Sequence, residues 1–157
     1  MAIKSIEEVD DRFHSRLSAK MKVYEYTIWK KKYNDVFMRR YAFRCVDLDV
    51  KKMKLAAAEF IGTHDFKGFC ANKRMKKSTV RTVYSIDFFE DEETIRIRYT
   101  GNGFLYNMVR IMTGTLIEVG EGKRDALSIK NVLNEKDREM AGFTAPPPGL
   151  SLLEVCY

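Results

Sequence analysis

The stretch 101–120, GNGFLYNMVRIMTGTLIEVG, constrains the fold of this chain more than any other. It follows an alternating run at 94–100, TIRIRYT, whose period of two reads as a strand. Gly101 and Gly103 punctuate a turn, and 104–120 reads as a helix that ends near Gly120. At about 100° per residue, Phe104, Leu105, Met108, Val109, Met112, Leu116 and Val119 share one broad apolar face. Ile111 and Ile117 make the second side partly apolar, so the helix is expected to be buried nearly all round. Arg110 lies on that second side with Tyr106, Asn107 and Gly114. A guanidinium there is costly unless paired. It is either a structural arginine reaching surface water or the holder of an anion in a site.

With 157 residues the chain can build one real core, and 45% hydrophobic content with 12% aromatics excludes a disordered chain. No apolar run approaches membrane-spanning length, and MAIKSIEEVDD lacks the pattern of a signal peptide. Cys45, Cys70 and Cys156 are odd in number, far apart and without a CxxC pair, which reads as reduced thiols in a cytosolic protein. His14 and His64 are too isolated to build a metal centre. The net charge of +6 is modest, and its placement matters more than its size.

Along the chain, 2–6 reads as a short strand. The next strand is 19–29, with Tyr24, Tyr26 and Ile28 on one face and Val23, Glu25, Thr27 and Trp29 on the other. A basic loop at 30–33 and a short extended piece at 41–45 follow. Asp49 is the expected cap of a helix running to Ile61 and closed by Gly62, with Val50, Met53, Ala57, Phe60 and Ile61 as its buried stripe. No period holds over 63–79, which reads as a long loop. Strands at 82–89 and 94–100 form a hairpin through the acidic turn 90–93. After the central helix, Asp125 caps a shorter helix at 126–133. Ala145-Pro146-Pro147-Pro148-Gly149 cannot be helix, and it leads into a last strand at 150–157. A hairpin flanked by helices, with first and last strands beside it, predicts an α+β fold. The expected sheet is a ferredoxin-like split βαβ arrangement, antiparallel or mixed, with helices mainly on one face.

Lys67, Lys73, Arg74, Lys76, Lys77 and Arg81 occur in one stretch without an acid, and Phe66 and Phe69 stand at its start. Such a loop fits a phosphate backbone, or is simply solvated. Arg96 and Arg98 alternate with Ile95 and Ile97 and either extend the patch or form the wet side of the sheet. Tyr24 is either a core tyrosine or a flat platform for a base. His64-Asp65, beside a helix end, reads as a cap or turn and is given no catalytic role. No Walker, Rossmann, GxSxG or metal-ligand pattern is present.

Together these stretches resemble the tRNA pseudouridine synthases of the TruA type. The resemblance runs through Phe13-His14-Ser15-Arg16, Tyr24-Glu25-Tyr26, Gly62-Thr63-His64-Asp65-Phe66 and Arg81-Thr82-Val83. It continues through Gly103-Phe104-Leu105, Met108-Val109-Arg110, Gly114, Thr144-Ala145-Pro146-Pro147 and Gly149-Leu150, in order over nearly the whole chain. It implies an enzyme that converts uridine to pseudouridine at positions 38 to 40 of the tRNA anticodon stem-loop, as a cytoplasmic homodimer without cofactor. By motif position Tyr24 matches the tyrosine that packs on the target base, Arg110 the arginine that pairs with the nucleophilic aspartate, and Leu150 an apolar residue lining the base pocket.

One departure shapes the expectation. The family's nucleophile lies in an Arg-Thr-Asp-x-Gly motif, whereas Arg81-Thr82 is followed here by Val83, and no aspartate, Asp65 included, has the right context. The chain is therefore expected to be the C-terminal half of such an enzyme, with 1–18 as the junction from an N-terminal half and 19–157 as the C-terminal domain. It is expected to be inert alone, to bind RNA weakly and to leave apolar sheet surface open to a partner. The alternatives are a stand-alone RNA-binding module of ferredoxin-like fold, or an assembly domain in which Arg110 only ties the core together.

Overall fold

Strand β1, Met21–Trp29, is the axis on which the sheet is built. The computed structural model describes residue 3, residues 5–33 and residues 35–157. As the alternation predicts, Tyr26 and Ile28 are fully buried and Tyr24 packs against the same core at partial exposure. The short strand β2, Phe43–Arg44, runs parallel to the end of β1. Helix α1, Val50–Ala57, starts where the Asp49 carboxylate accepts the Lys52 amide, and it tightens into a 3-10 turn at Ala58–Phe60. Strands β3, Gly62–Asp65, and β4, Val80–Glu90, pair antiparallel, and β4 turns into β5, Thr94–Gly101. Helices α2, Met108–Gly120, and α3, Ser128–Glu135, follow before β6, Leu150–Cys156, closes the order.

β5 lies antiparallel between β1 and β4, so β1 and β4 are parallel strands joined through α1 with a strand between them. β6 lies antiparallel to β1 on its other side and is joined to β5 through α2 in the same split manner. The spatial order β6-β1-β5-β4 is the ferredoxin-like one, within a mixed six-stranded sheet that adds β2 and β3. The fold is α+β.

The core lies between the sheet and the helices: Tyr26, Ile28, Ile95, Ile97 and Tyr99 meet Met108, Ile111, Met112 and Leu116 of α2, with Met53 of α1 beside them. Tyr99 and Thr113 share a buried hydroxyl hydrogen bond of 2.8 Å. The opposite sheet face is the wet one. There Arg98 ion-pairs with Glu25 at 2.9 Å and stands over the Phe89 ring at 4.7 Å, so these arginines do not extend the basic loop.

Five expectations are corrected. The central helix begins at Met108 rather than at 104, because Asn107 adopts a left-handed conformation (φ 58°) that breaks the chain direction just before it. Leu105 is still buried, so the apolar period continues through a segment that is not helical. The loop at 63–79 contains β3 and a 3-10 turn, Phe66–Phe69, that buries both phenylalanines. β3 is too short to show alternation, and it is a strand because β4 offers it an edge. Ile61, placed in the buried stripe, is 46% exposed. α3 starts two residues later than expected, and Asp125 caps the turn ahead of it by accepting the Leu127 amide at 2.7 Å. The short strand at 2–6 lies partly outside the described residues; residues 3, 5 and 6 are not in a strand.

Candidate nucleic-acid interface

Arg110 sits in the first turn of α2, where the helix leaves the Asn107 bend. Its Nε donates to the Ala145 carbonyl at 2.6 Å, and the Ala145 amide returns a bond to the Arg110 carbonyl at 3.0 Å. Its Nη1 donates to Asn107 Oδ1 at 3.1 Å. Both acceptors are neutral. Among the described residues no carboxylate is ion-paired with Arg110. The guanidinium is thus fixed at its base and half-buried, with no carboxylate within ion-pairing distance among the described residues.

The proline segment joins Arg110 to β1 and β6. The Tyr26 hydroxyl donates to the Pro146 carbonyl at 2.7 Å. Burial pushes that phenol well above its ordinary pKa, and the positive charge of Arg110 counters only part of the rise. Tyr26 pairs with Leu150 across the β1–β6 ladder, and the Leu150 amide donates to Pro147 at 3.1 Å. Gly149 makes this seam possible. Its φ is 108°, and a Cβ there would stand 2.8 Å from the Thr27 carbonyl. Tyr24 lies two residues before Tyr26 on the same face of β1, edge-on to Phe104 with 5.4 Å between ring centroids. Arg110, through Ala145 and the proline segment, and Leu150, through the β1–β6 ladder, are both tied to the buried Tyr26, and Tyr24 lies two residues away on the same face of β1.

Phe104 also forms part of the wall of a groove of about 710 Å³. Arg16, Lys22, Lys77 and Arg81 line it, and among the described residues no carboxylate does. Arg81 is steadied by its own loop, donating to the Ser78 and Val80 carbonyls. A second groove, of about 730 Å³, runs between the basic loop and the end of α3. Lys67, Lys73, Lys76 and Lys77 line it together with Asp65, Glu135, Asp137 and Glu139. Here Lys73 meets Glu139 at 3.7 Å and Lys136 meets Asp65 at 3.0 Å. The basic run thus splits. Arg81 faces the cationic groove, Lys77 lines both grooves, Lys67, Lys73 and Lys76 face mixed charge, and Arg74 is exposed and lines neither.

His64 and Asp65 serve the backbone. The His64 ring bonds the Ile61 carbonyl at 3.0 Å. Burial works to raise the Asp65 pKa, yet bonds from the Thr79 hydroxyl, Lys136 and the Lys67 amide hold it below the ordinary value. Among the described residues no three His, Cys, Asp or Glu side chains gather as a metal site, and no helix is long and apolar enough to cross a membrane.

Arg16 and Lys22 are groove residues that the charge pattern does not reveal. They belong to a scatter of cations, Arg12, Arg16, Lys20 and Lys22, that forms no basic run in the sequence. A signal existed for Lys22, because pairing β1 with β5 sets it opposite Gly101, beside the glycine turn.

The family model described as tRNA pseudouridine synthase matches residues 56–157. The chain is 48% identical over 158 residues to tRNA pseudouridine synthase A of Bacillus velezensis, covering 100% of this chain and 64% of that protein. The protein of the same name from Bacillus subtilis is also 48% identical over 158 residues, with the same coverage. The one from Listeria monocytogenes serotype 4b is 47% identical over 156 residues, covering 98% of this chain and 63% of the relative. The chain thus spans somewhat less than two thirds of the length of the curated relatives it matches.

Proposed function

Because this chain belongs to the tRNA pseudouridine synthase family, we propose that it supplies the C-terminal domain of an enzyme that isomerises uridine to pseudouridine in the tRNA anticodon stem-loop. In this reading 19–157 form the domain and 1–18 the junction to an N-terminal half that carries the nucleophilic aspartate. The whole enzyme works in the cytoplasm as a homodimer and without a cofactor. The observation that carries the reading is Arg110: a guanidinium held by two neutral oxygens with no carboxylate of its own. Two fixed acceptors at its base leave Nη2 free to meet an incoming carboxylate, and a charge-assisted pair made this way needs little reorganisation.

Each remaining residue has a part in this scheme. Tyr24 packs on the uracil once the nucleotide has left the stack, a step that costs a few kcal/mol, roughly. Leu150 lines the pocket in which the detached base turns before it is rejoined through carbon. The reaction is an isomerisation, so no electron acceptor is required. Arg16, Lys22, Lys77 and Arg81 follow the phosphate backbone, while Lys67, Lys73, Arg74 and Lys76 add a weaker, partly neutralised attraction. The open sheet face argues against a stand-alone RNA-binding module. Its two central strands present Glu25, Thr27, Arg96 and Arg98 there, without exposed stacking aromatics.

The test is reconstitution. This chain is mixed with a separately made N-terminal half carrying Arg-Thr-Asp-x-Gly, and pseudouridine is measured in an anticodon stem-loop RNA. Turnover is expected only with both halves present. Arg110→Ala should lower it on the order of 100-fold or more, by the measure of other lost active-site donors. Arg110→Lys should recover little, because an ammonium cannot form the paired bonds. Halves that associate and bind RNA yet give no product would remove the assignment.

A further inference from the structure

We propose that Glu118 is a positioning residue for Arg110, acting through the segment 140–145 that lies along α2. The inference rests on reading Arg110 as the partner of a catalytic carboxylate. Arg110, Gly114 and Glu118 fall at intervals of four and form one stripe of α2. The segment runs back along that stripe. Arg110 meets Ala145 through the two reciprocal bonds, Gly114 lies against the Phe143 carbonyl, and Glu118 Oε1 accepts the Phe143 amide at 3.1 Å.

The contact at Gly114 is backbone on backbone, since a Cβ there would stand 1.9 Å from the Phe143 oxygen. Glu118 uses its second oxygen as well. Oε2 accepts Arg124 Nε at 2.9 Å, and Arg124 Nη1 donates to the Met140 carbonyl at 2.7 Å. One carboxylate therefore grips the segment directly at Phe143 and through Arg124 at Met140. Thr115 adds a bond to the Gly142 amide at 2.9 Å. The far end of the segment is the Ala145 carbonyl, which receives the shorter of the two bonds from the Arg110 side chain. Arg138 also holds Gly142 and Thr144, and the Ala145 amide stays on Arg110, so releasing Glu118 loosens the Met140–Phe143 end of the segment and lets the Ala145 carbonyl shift, and the guanidinium with it. A misplacement of about 1 Å at such a group can cost 10²-fold in rate.

The experiment reads Arg110 without relying on activity. In this chain, the Arg110 side-chain Nε–Hε resonance is followed by NMR, together with its hydrogen exchange. Glu118→Ala should keep a cooperative thermal transition but shift the Arg110 resonance and speed its exchange at least tenfold. In the reconstituted enzyme, kcat should fall on the order of 100-fold while KM for RNA stays within about twofold. Should Glu118→Ala fail to fold, Glu118→Gln carries the same test, because its amide has a single acceptor oxygen and cannot accept from Phe143 and Arg124 together. An Arg110 resonance and exchange rate unchanged in the folded variant overturn the proposal. If the resonance responds while the unsubstituted reconstituted enzyme makes no pseudouridine, the functional reading fails and the positioning stands.

Discussion

At Asp91 one carboxylate closes the β4–β5 turn. It accepts the Thr94 hydroxyl at 2.7 Å and the Glu93 and Thr94 amides at 2.9 and 2.7 Å. These bonds, with the hydroxyl foremost, hold its pKa at about 2, below the ordinary carboxylate value of about 3.9. A folded-state pKa below the unfolded one gives stability that is present above the unfolded value and is lost as pH falls through the folded value. Asp91→Ala should therefore be less stable than the parent at neutral pH, with the difference closing between about pH 4 and pH 2. Urea titrations across that range check it, and a difference that persists unchanged would contradict the assignment. The turn was legible in the sequence as an acidic hairpin connection. Arg110 was legible too, as a charge on an otherwise apolar helix. Asn107 shares its side in the helical pattern, but Ala145 was not legible as a partner, because it reaches Arg110 only through tertiary packing.

Elements were readable where their pattern was long or their chemistry unambiguous. The hairpin, the end of α2 at Gly120, the Asp49 cap and the proline break before β6 are all as the sequence predicts. The start of α2 was hidden because 104–107 bury Leu105 without being helical, and hydrophobic period reports burial rather than backbone angle. β3 was hidden by its length. The stripe of α2 supports a prediction of its own at Gly114. On an exposed helix, Gly→Ala is favourable by about 1 kcal/mol. Here the added methyl would drive α2 away from the Phe143 backbone, an overpacking that costs typically 1–3 kcal/mol or more. Gly114→Ala should therefore destabilise the chain in chemical denaturation, and a stabilised variant would show that the segment is not seated on the helix as described.

Over the whole molecule, the α+β class and the ferredoxin-like order could be deduced from the sequence of elements. The sharing of cations between the two grooves could not. Lys77 and Arg81 are neighbours in sequence, but Arg16 and Lys22 join them only when β1 has paired with β5. A charge run identifies the loop, not its counterparts. If the chain binds RNA as proposed, this distribution sets how that binding responds to salt. Arg16→Ala or Lys22→Ala should each reduce the slope of log affinity against log salt by about 1, as expected for one lost phosphate contact. Lys73→Ala should change it less, because Glu139 already sits beside that ammonium. Fluorescence anisotropy with a stem-loop RNA at several salt concentrations measures all three slopes, and equal losses for all three would count against the division of the grooves. The β1–β6 ladder bears on a different matter, the order in which the chain can fold. Met21 pairs with Cys156 and Tyr26 with Leu150, so the second side of the central strand is closed by residues made long after it. Contacts so distant in sequence slow folding. On the ribosome, β1 waits with an unsatisfied edge until 150–156 have emerged, and during that interval the nascent chain is most open to strand exchange with a neighbour.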